Sequence, residues 1–290
     1  MKKRLLSQKD AVLIYTLGFV IMLVTNIIAV SVIPKESDLY IYASYFLPQI
    51  SYLIAIIVYP KTANVEYQLN LKENARKNKY RYLLALLFGA GLFFCALLLN
   101  YLQQKFFRAV GYNGGVTVPA LNGPFDYVLS AFIVCLIPSV TEELMFRKTF
   151  ADGMSRIGEI NACLLAAAVF SLAHFNPVQT IYQFILGFIL AFLYIKTGDI
   201  VITIIIHIAN NALAFFLESL TDSALWAQPK NLLLAFGVGL PIAAASFYLI
   251  LKGSGKVNNK REEKISPYIF ILIGALLVIW IANLFLQEKI

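Results

Sequence analysis

The stretch of this chain best suited to chemistry is Thr141-Glu142-Glu143-Leu144-Met145-Phe146-Arg147, at the end of a long apolar run. An ionised side chain inside a bilayer costs at least about 2.5–3.5 kcal/mol, so charges placed there are paired or used. Glu143 and Arg147 stand four residues apart on one helix face, where each neutralises the other. Glu142 projects about 100° away from Glu143 and has no partner within its own helix. A lone carboxylate beside a paired one has the design of a base held at a fixed depth.

The chain has two histidines, and both lie in apolar runs. His174 ends Phe170-Ser171-Leu172-Ala173-His174, and His207 opens His207-Ile208-Ala209-Asn210-Asn211. One buried histidine is usually a core residue. Two of them with two glutamates, an arginine and an asparagine pair point to a site, because intramembrane ionisable groups mark function by default. Phe170 and His174 are four apart, so the ring packs under the imidazole. His207 and Asn211 share a face, and Asn210 lies close to it, so spacing leaves the choice between the asparagines open. A glutamate and a histidine converging on one water deprotonate it for attack on an amide. A second histidine with an asparagine amide donates to the oxyanion that forms. Pro138 has no N–H for the carbonyl of Val134, which predicts a kink about one turn before Glu142.

The elements that must position these groups are transmembrane helices. Of the 290 residues 60% are hydrophobic and 14% charged, with a mean hydropathy of +0.74. This is the composition of an all-α polytopic membrane protein, not a soluble globule. The net charge of +8 does not imply nucleic acid, because the cations lie between apolar runs, where they set membrane orientation. Cys95, Cys135 and Cys163 lie within apolar runs without CxxC spacing and read as buried hydrophobes.

Eight to nine spans are expected, at about 11–33, 40–59, 82–102, 125–153, 160–175, 178–195, 200–217, 231–251 and 267–286. Residues 1–124 form the N-terminal spans and a basic loop, 125–220 a motif-bearing four-helix core, and 221–290 the last spans. With a cytoplasmic N-terminus, all but Lys35, Lys105, Arg108, Lys230 and Lys289 of the 24 Lys and Arg fall inside. The fifth and sixth runs are short, so nine spans or seven plus a re-entrant hairpin are both allowed. Depth constrains the fourth. If it ended at Arg147, Glu142 would lie only about 8 Å deep. Continuing to Gly153 makes that about 16 Å, where it meets the histidines with Arg147 buried. Pro48-Gln49, Asn100 and Gln183 are read as interhelical contacts outside the site.

Glu-Glu-x-x-x-Arg, Phe-x-x-x-His and His-x-x-x-Asn, in that order over roughly Phe125 to Leu220, resemble the CPBP family of intramembrane proteases. This is the family of the CaaX prenyl endopeptidases and of bacteriocin-processing and self-immunity homologues. The resemblance implies that Glu142 and His174 activate water and that His207 and Asn211 form the oxyanion hole. It assigns Glu143, Arg147 and Phe170 to support of the site, and it implies a cytoplasmic opening. Glu142, His174 and His207 also make a two-His, one-Glu zinc set with an open position. HExxH is absent and the same residues serve a metal-free mechanism, so the expectation is no cofactor, with zinc as the alternative.

The expected partners are a peptide or membrane-protein substrate and the lipid bilayer of a bacterial plasma membrane. Oligomeric state is left open. The competing readings are a non-enzymatic bacteriocin-immunity or scaffold protein, and a proton-coupled transporter, against which the lack of repeated halves counts.

Overall fold

The computed structural model describes residues 3–67, 79–112, 114, 117–220, 223–226, 228–252 and 263–286. Lys72, Arg76 and Lys77 of the basic loop lie outside the described residues, as do Lys2, Lys289 and most of the 252–264 loop. The helices are α1 (Gln8–Val32), α2 (Asp38–Thr62), α3 (Tyr80–Ala109), α4 (Pro124–Ile157) and α5 (Glu159–Leu172). They continue with α6 (Thr180–Thr197), α7 (Ile200–Leu220), α8 (Pro229–Lys252) and α9 (Pro267–Leu286). All but α5 are long and apolar enough to cross a membrane. Their outward faces stay apolar, with Ile27, Leu234, Ile271 and Val278 exposed. Helices that are hydrophobic on every side belong in lipid, and the protein is an all-α polytopic membrane protein.

Local signals set the helix ends. Ser7 and Asp10 form a reciprocal capping box on α1, which satisfies two backbone donors that the first turn leaves open. Asp10 also accepts both Arg4 guanidinium nitrogens at 2.5 and 2.7 Å and the Tyr59 hydroxyl at 2.9 Å. That cluster ties the start of α1 to the end of α2, and the strands Arg4–Leu5 and Val65–Glu66 pair beside it. Nearby, Arg156 bonds Glu263 at 2.7 Å, and Lys196 bonds Glu159 at 2.7 Å. One end of the bundle is therefore basic and knit together by ion pairs.

α4 is the irregular helix, and the irregularity serves the site. Ala131–Leu136 and Glu143–Ala151 are wound in wide π turns around a short α segment, Ile137–Glu142. The first wide turn precedes Pro138, so the kink read from the sequence takes the form of a change in winding. Within the second, Leu144 O accepts the Thr149 hydroxyl at 2.9 Å and the Tyr67 hydroxyl at 3.2 Å. The helix runs past Gly153 to Ile157, as the depth argument requires.

The 14 residues of α5 rise about 21 Å, short of the roughly 30 Å of hydrocarbon. Its turn into α6 packs against α9, where Trp280 Nε1 donates to Thr180 Oγ1 at 2.6 Å. Asn283 Nδ2 donates to Phe175 O at 2.9 Å in the same place. The α5 arm alone falls short of a full crossing, whereas α6 is long enough for one.

Two glycines of α3 allow close helix packing. A Cβ on Gly91 would lie 2.7 Å from the Ala243 nitrogen of α8. A Cβ on Gly89 would lie 2.7 Å from the Ile206 carbonyl of α7, immediately before His207. Gly89→Val is therefore expected to push α7 outward and misplace His207. A lowered melting midpoint together with activity reduced by at least about tenfold checks this, since overpacking costs about 1–3 kcal/mol.

Candidate active site

The π-wound part of α4, the α5–α6 turn and α7 converge on a cleft of ≈ 870 Å³. Beneath it lies an aromatic layer. Tyr52 and Phe146 approach at 5.8 Å between ring centroids, and Phe146 and Phe170 at 5.0 Å. This layer closes the bottom of the cleft and fixes the groups above it.

The two adjacent glutamates part company. Glu142 lines the cleft, with its side chain 13% exposed, whereas that of Glu143 is fully buried. Arg147, 1% exposed, has Nε 3.1 Å from Glu143 Oε2. That contact is an ion pair without hydrogen-bond alignment, because neither atom has a hydrogen-bond partner among the described residues. The guanidinium instead lies over the Phe170 ring, 4.4 Å from its centroid. This cation–π contact offsets part of the cost of burial.

Glu143 has a second task that its spacing did not reveal. Its Oε1 lies 2.8 Å from His207 Nδ1. A carboxylate accepts, so Nδ1 donates and Nε2 faces the cleft, 3.8 Å from Glu142 Oε2. His174 Nδ1 lies 2.8 Å from Phe170 O. A carbonyl only accepts, so Nδ1 carries the proton and a neutral His174 presents its lone pair on Nε2. The Phe170 ring touches both imidazoles, at 4.9 Å from His174 and 6.0 Å from His207. One phenyl ring thus spaces the two histidines.

Both asparagines line the cleft. Asn211 Nδ2 donates to Ser139 Oγ at 3.3 Å, which bonds onward to Cys135 O at 2.7 Å. Asn210 accepts the Tyr182 hydroxyl and donates to Asn211 Oδ1 at 3.4 Å. The asparagines are thus joined to each other and anchored to different helices.

Gln49, read from the sequence as an interhelical contact outside the site, makes that contact with Glu142 itself. From α2, it donates Nε2 to Glu142 Oε1 at 3.1 Å and accepts the Thr141 hydroxyl on its own oxygen. Because an ionised carboxylate only accepts, the contact with Glu142 sets the amide orientation and Nε2 faces it. Asn100 and Gln183, also set aside, line the same cleft. No local signal singled out Gln49, since its partner is 93 positions away. Gln49→Leu keeps the bulk but frees one Glu142 oxygen. Loss of a hydrogen bond to a charged group, about 1.5–3 kcal/mol, predicts activity reduced about 10- to 100-fold. Gln49→Glu should be worse, because it sets two carboxylates together.

Among the described residues, no three His, Cys, Asp or Glu side chains form a group able to hold a metal ion. In the trio considered for zinc, one nitrogen of each histidine is already engaged, His174 Nδ1 by Phe170 O and His207 Nδ1 by Glu143.

A polytopic helical protein with a carboxylate and two oriented histidines in a recessed cleft has the outline of an intramembrane hydrolase. Residues 124–213, about a third of the chain, match the family model described as Rce1-like, type II CAAX prenyl endopeptidase. The chain thus carries an Rce1-like domain, consistent with a CPBP-family intramembrane protease, and the match supports a CAAX-type protease at the level of the family. No curated protein and no solved structure matches the chain.

Proposed function

We propose that the protein is a glutamate-type intramembrane endopeptidase that cleaves a membrane-associated peptide or protein in a bacterial plasma membrane. The observation that carries this reading is the fixed orientation of Glu142 by Gln49, opposite two histidines whose Nδ1 atoms are already committed. A water between Glu142 and His174 Nε2 finds two acceptors for its two protons and turns a lone pair outward. Its oxygen attacks the scissile carbonyl carbon while one proton passes to the Glu142–His174 pair. His207 Nε2 and the Asn211 amide receive the oxyanion. When the C–N bond breaks, the captured proton goes to the leaving amine.

The role of His207 sets its protonation. Nδ1 already donates to Glu143, so donating from Nε2 as well requires the imidazolium. With that proton, the two glutamates, Arg147 and His207 sum to zero charge, the condition a buried cluster favours.

The test compares the termini of cellular peptides and proteins between cells expressing wild-type protein and His174→Ala at matched levels. Products seen only with wild type are expected, and they name client and bond together. Identical termini with a correctly inserted variant would count against the enzyme. The metal-free chemistry has its own check. Purified protein stripped by chelation, with no zinc by elemental analysis, should retain full activity, and zinc-restored activity would reverse the assignment.

A further inference from the structure

The cleft opens at the end of the bundle opposite the basic one. Its walls come from Met22 and Asn26 late in α1, Ser44 to Tyr52 early in α2, and Asn100 to Arg108 late in α3. Thr117 and Val118, in the connection between α3 and α4, also line it. Arg4, Lys9, Lys61, Lys79, Arg81, Lys148, Arg156, Lys196, Lys252 and Lys264 belong to the other end. Positive charge marks the cytoplasmic face of a membrane protein, which puts this mouth on the extracytoplasmic side.

The chemistry of the walls is as distinctive as their position. Carboxamides project from five of the helices that line it: Asn26 from α1, Gln49 from α2, Asn100 and Gln104 from α3, Gln183 from α6 and Asn210 from α7. Glu142 is the only carboxylate and Arg108 the only Lys or Arg among the described lining residues. Gln183 Oε1 is buried with no hydrogen-bond partner among the described residues. A buried acceptor in that state costs about 1–3 kcal/mol until it meets a donor.

An isoprenoid or acyl chain supplies no donor and would leave Gln183 Oε1 unmet. An extended polypeptide supplies one N–H and one C=O per residue, repeating about every 3.3 Å, and a carboxamide matches both. We propose that the cleft admits an unlipidated, extended polypeptide segment from the extracytoplasmic side and holds it by its backbone through this amide lining. This rests on the endopeptidase reading for what happens to the segment, and it reverses the cytoplasmic opening implied by the family resemblance.

Two measurements separate the parts. Thr117→Cys, at the mouth, should react with a membrane-impermeant maleimide in intact cells, while Lys264→Cys should react only after permeabilisation. The opposite pattern overturns the extracytoplasmic entrance whatever the activity. Purified protein is then given a random-sequence mixture of unlipidated quenched-fluorescence peptides and, separately, a farnesylated peptide. Glu142-dependent cleavage of the unlipidated mixture is expected, with Gln183→Leu acting mainly on KM, about tenfold. Cleavage of the farnesylated peptide alone overturns the amide-lined polypeptide site while leaving the protease intact. If neither peptide is cut, the endopeptidase reading falls and takes the polypeptide site with it, and the labelling still decides the entrance.

Discussion

Glu142→Gln is expected to reduce peptide-bond hydrolysis about 10²- to 10⁴-fold, the usual contribution of a positioned general base. The substitution is nearly isosteric. The Gln49 amide that bonds Glu142 Oε1 at 3.1 Å can still donate to an amide oxygen. Folding and membrane insertion should therefore match wild type, and the loss should fall on kcat. His174→Ala should lose activity on the same scale. The double variant should be little worse than either single one, because both residues act on one water and such effects are not additive. The measurement is steady-state cleavage of a peptide substrate by the purified proteins, with yield and elution profile compared alongside. Wild-type turnover in Glu142→Gln would remove this residue from the chemistry. Near-additive losses in the double variant would instead place Glu142 and His174 on separate steps.

What the sequence made legible was the part governed by short spacing. Glu143 with Arg147 and Phe170 with His174 are i,i+4 pairs, and helix geometry alone puts each pair in contact. The contrast between an inward Glu143 and a cleft-facing Glu142 followed from the 100° step. It persists although α4 is π-wound there, because a wider turn still sets neighbouring residues on different faces. The depth argument worked for a similar reason, since helix rise is nearly constant and demanded that α4 pass Gly153.

Contacts across long separations were not legible. Gln49 reaches Glu142 over 93 positions and His207 reaches Glu143 over 64, and neither pair carries a local pattern. Gln49 resembled any polar residue in a span, and only packing of α2 against α4 gives it a task. The π winding was hidden as well, because Pro138 announces a disturbance but not its form. Spacing left Asn210 and Asn211 equivalent. The structure separates them by their anchors, Tyr182 for one and Ser139 for the other.

The second large effect is expected at the buried ion pair. Arg147→Ala leaves Glu143 buried with His207 alone, and Glu143→Ala leaves the Arg147 guanidinium on the Phe170 face without the carboxylate 3.1 Å from its Nε. Breaking a buried pair from one side costs about 3–5 kcal/mol, a large fraction of the roughly 5–15 kcal/mol that holds a typical protein folded. Both single variants should purify in low yield with lowered melting midpoints in detergent. The double variant Glu143→Ala/Arg147→Met removes both charges and keeps apolar bulk, so it should regain much of the lost stability. Activity should not return with it, because His207 has then lost the carboxylate 2.8 Å from its Nδ1 and with it the fixed direction of Nε2. Stability recovered without turnover would separate the two tasks of Glu143, charge partner of Arg147 and orienter of His207. Recovery of both would mean that His207 is held by packing against Phe170 alone. Recovery of neither would mean that the pair specifies the winding of α4 rather than merely balancing its charges.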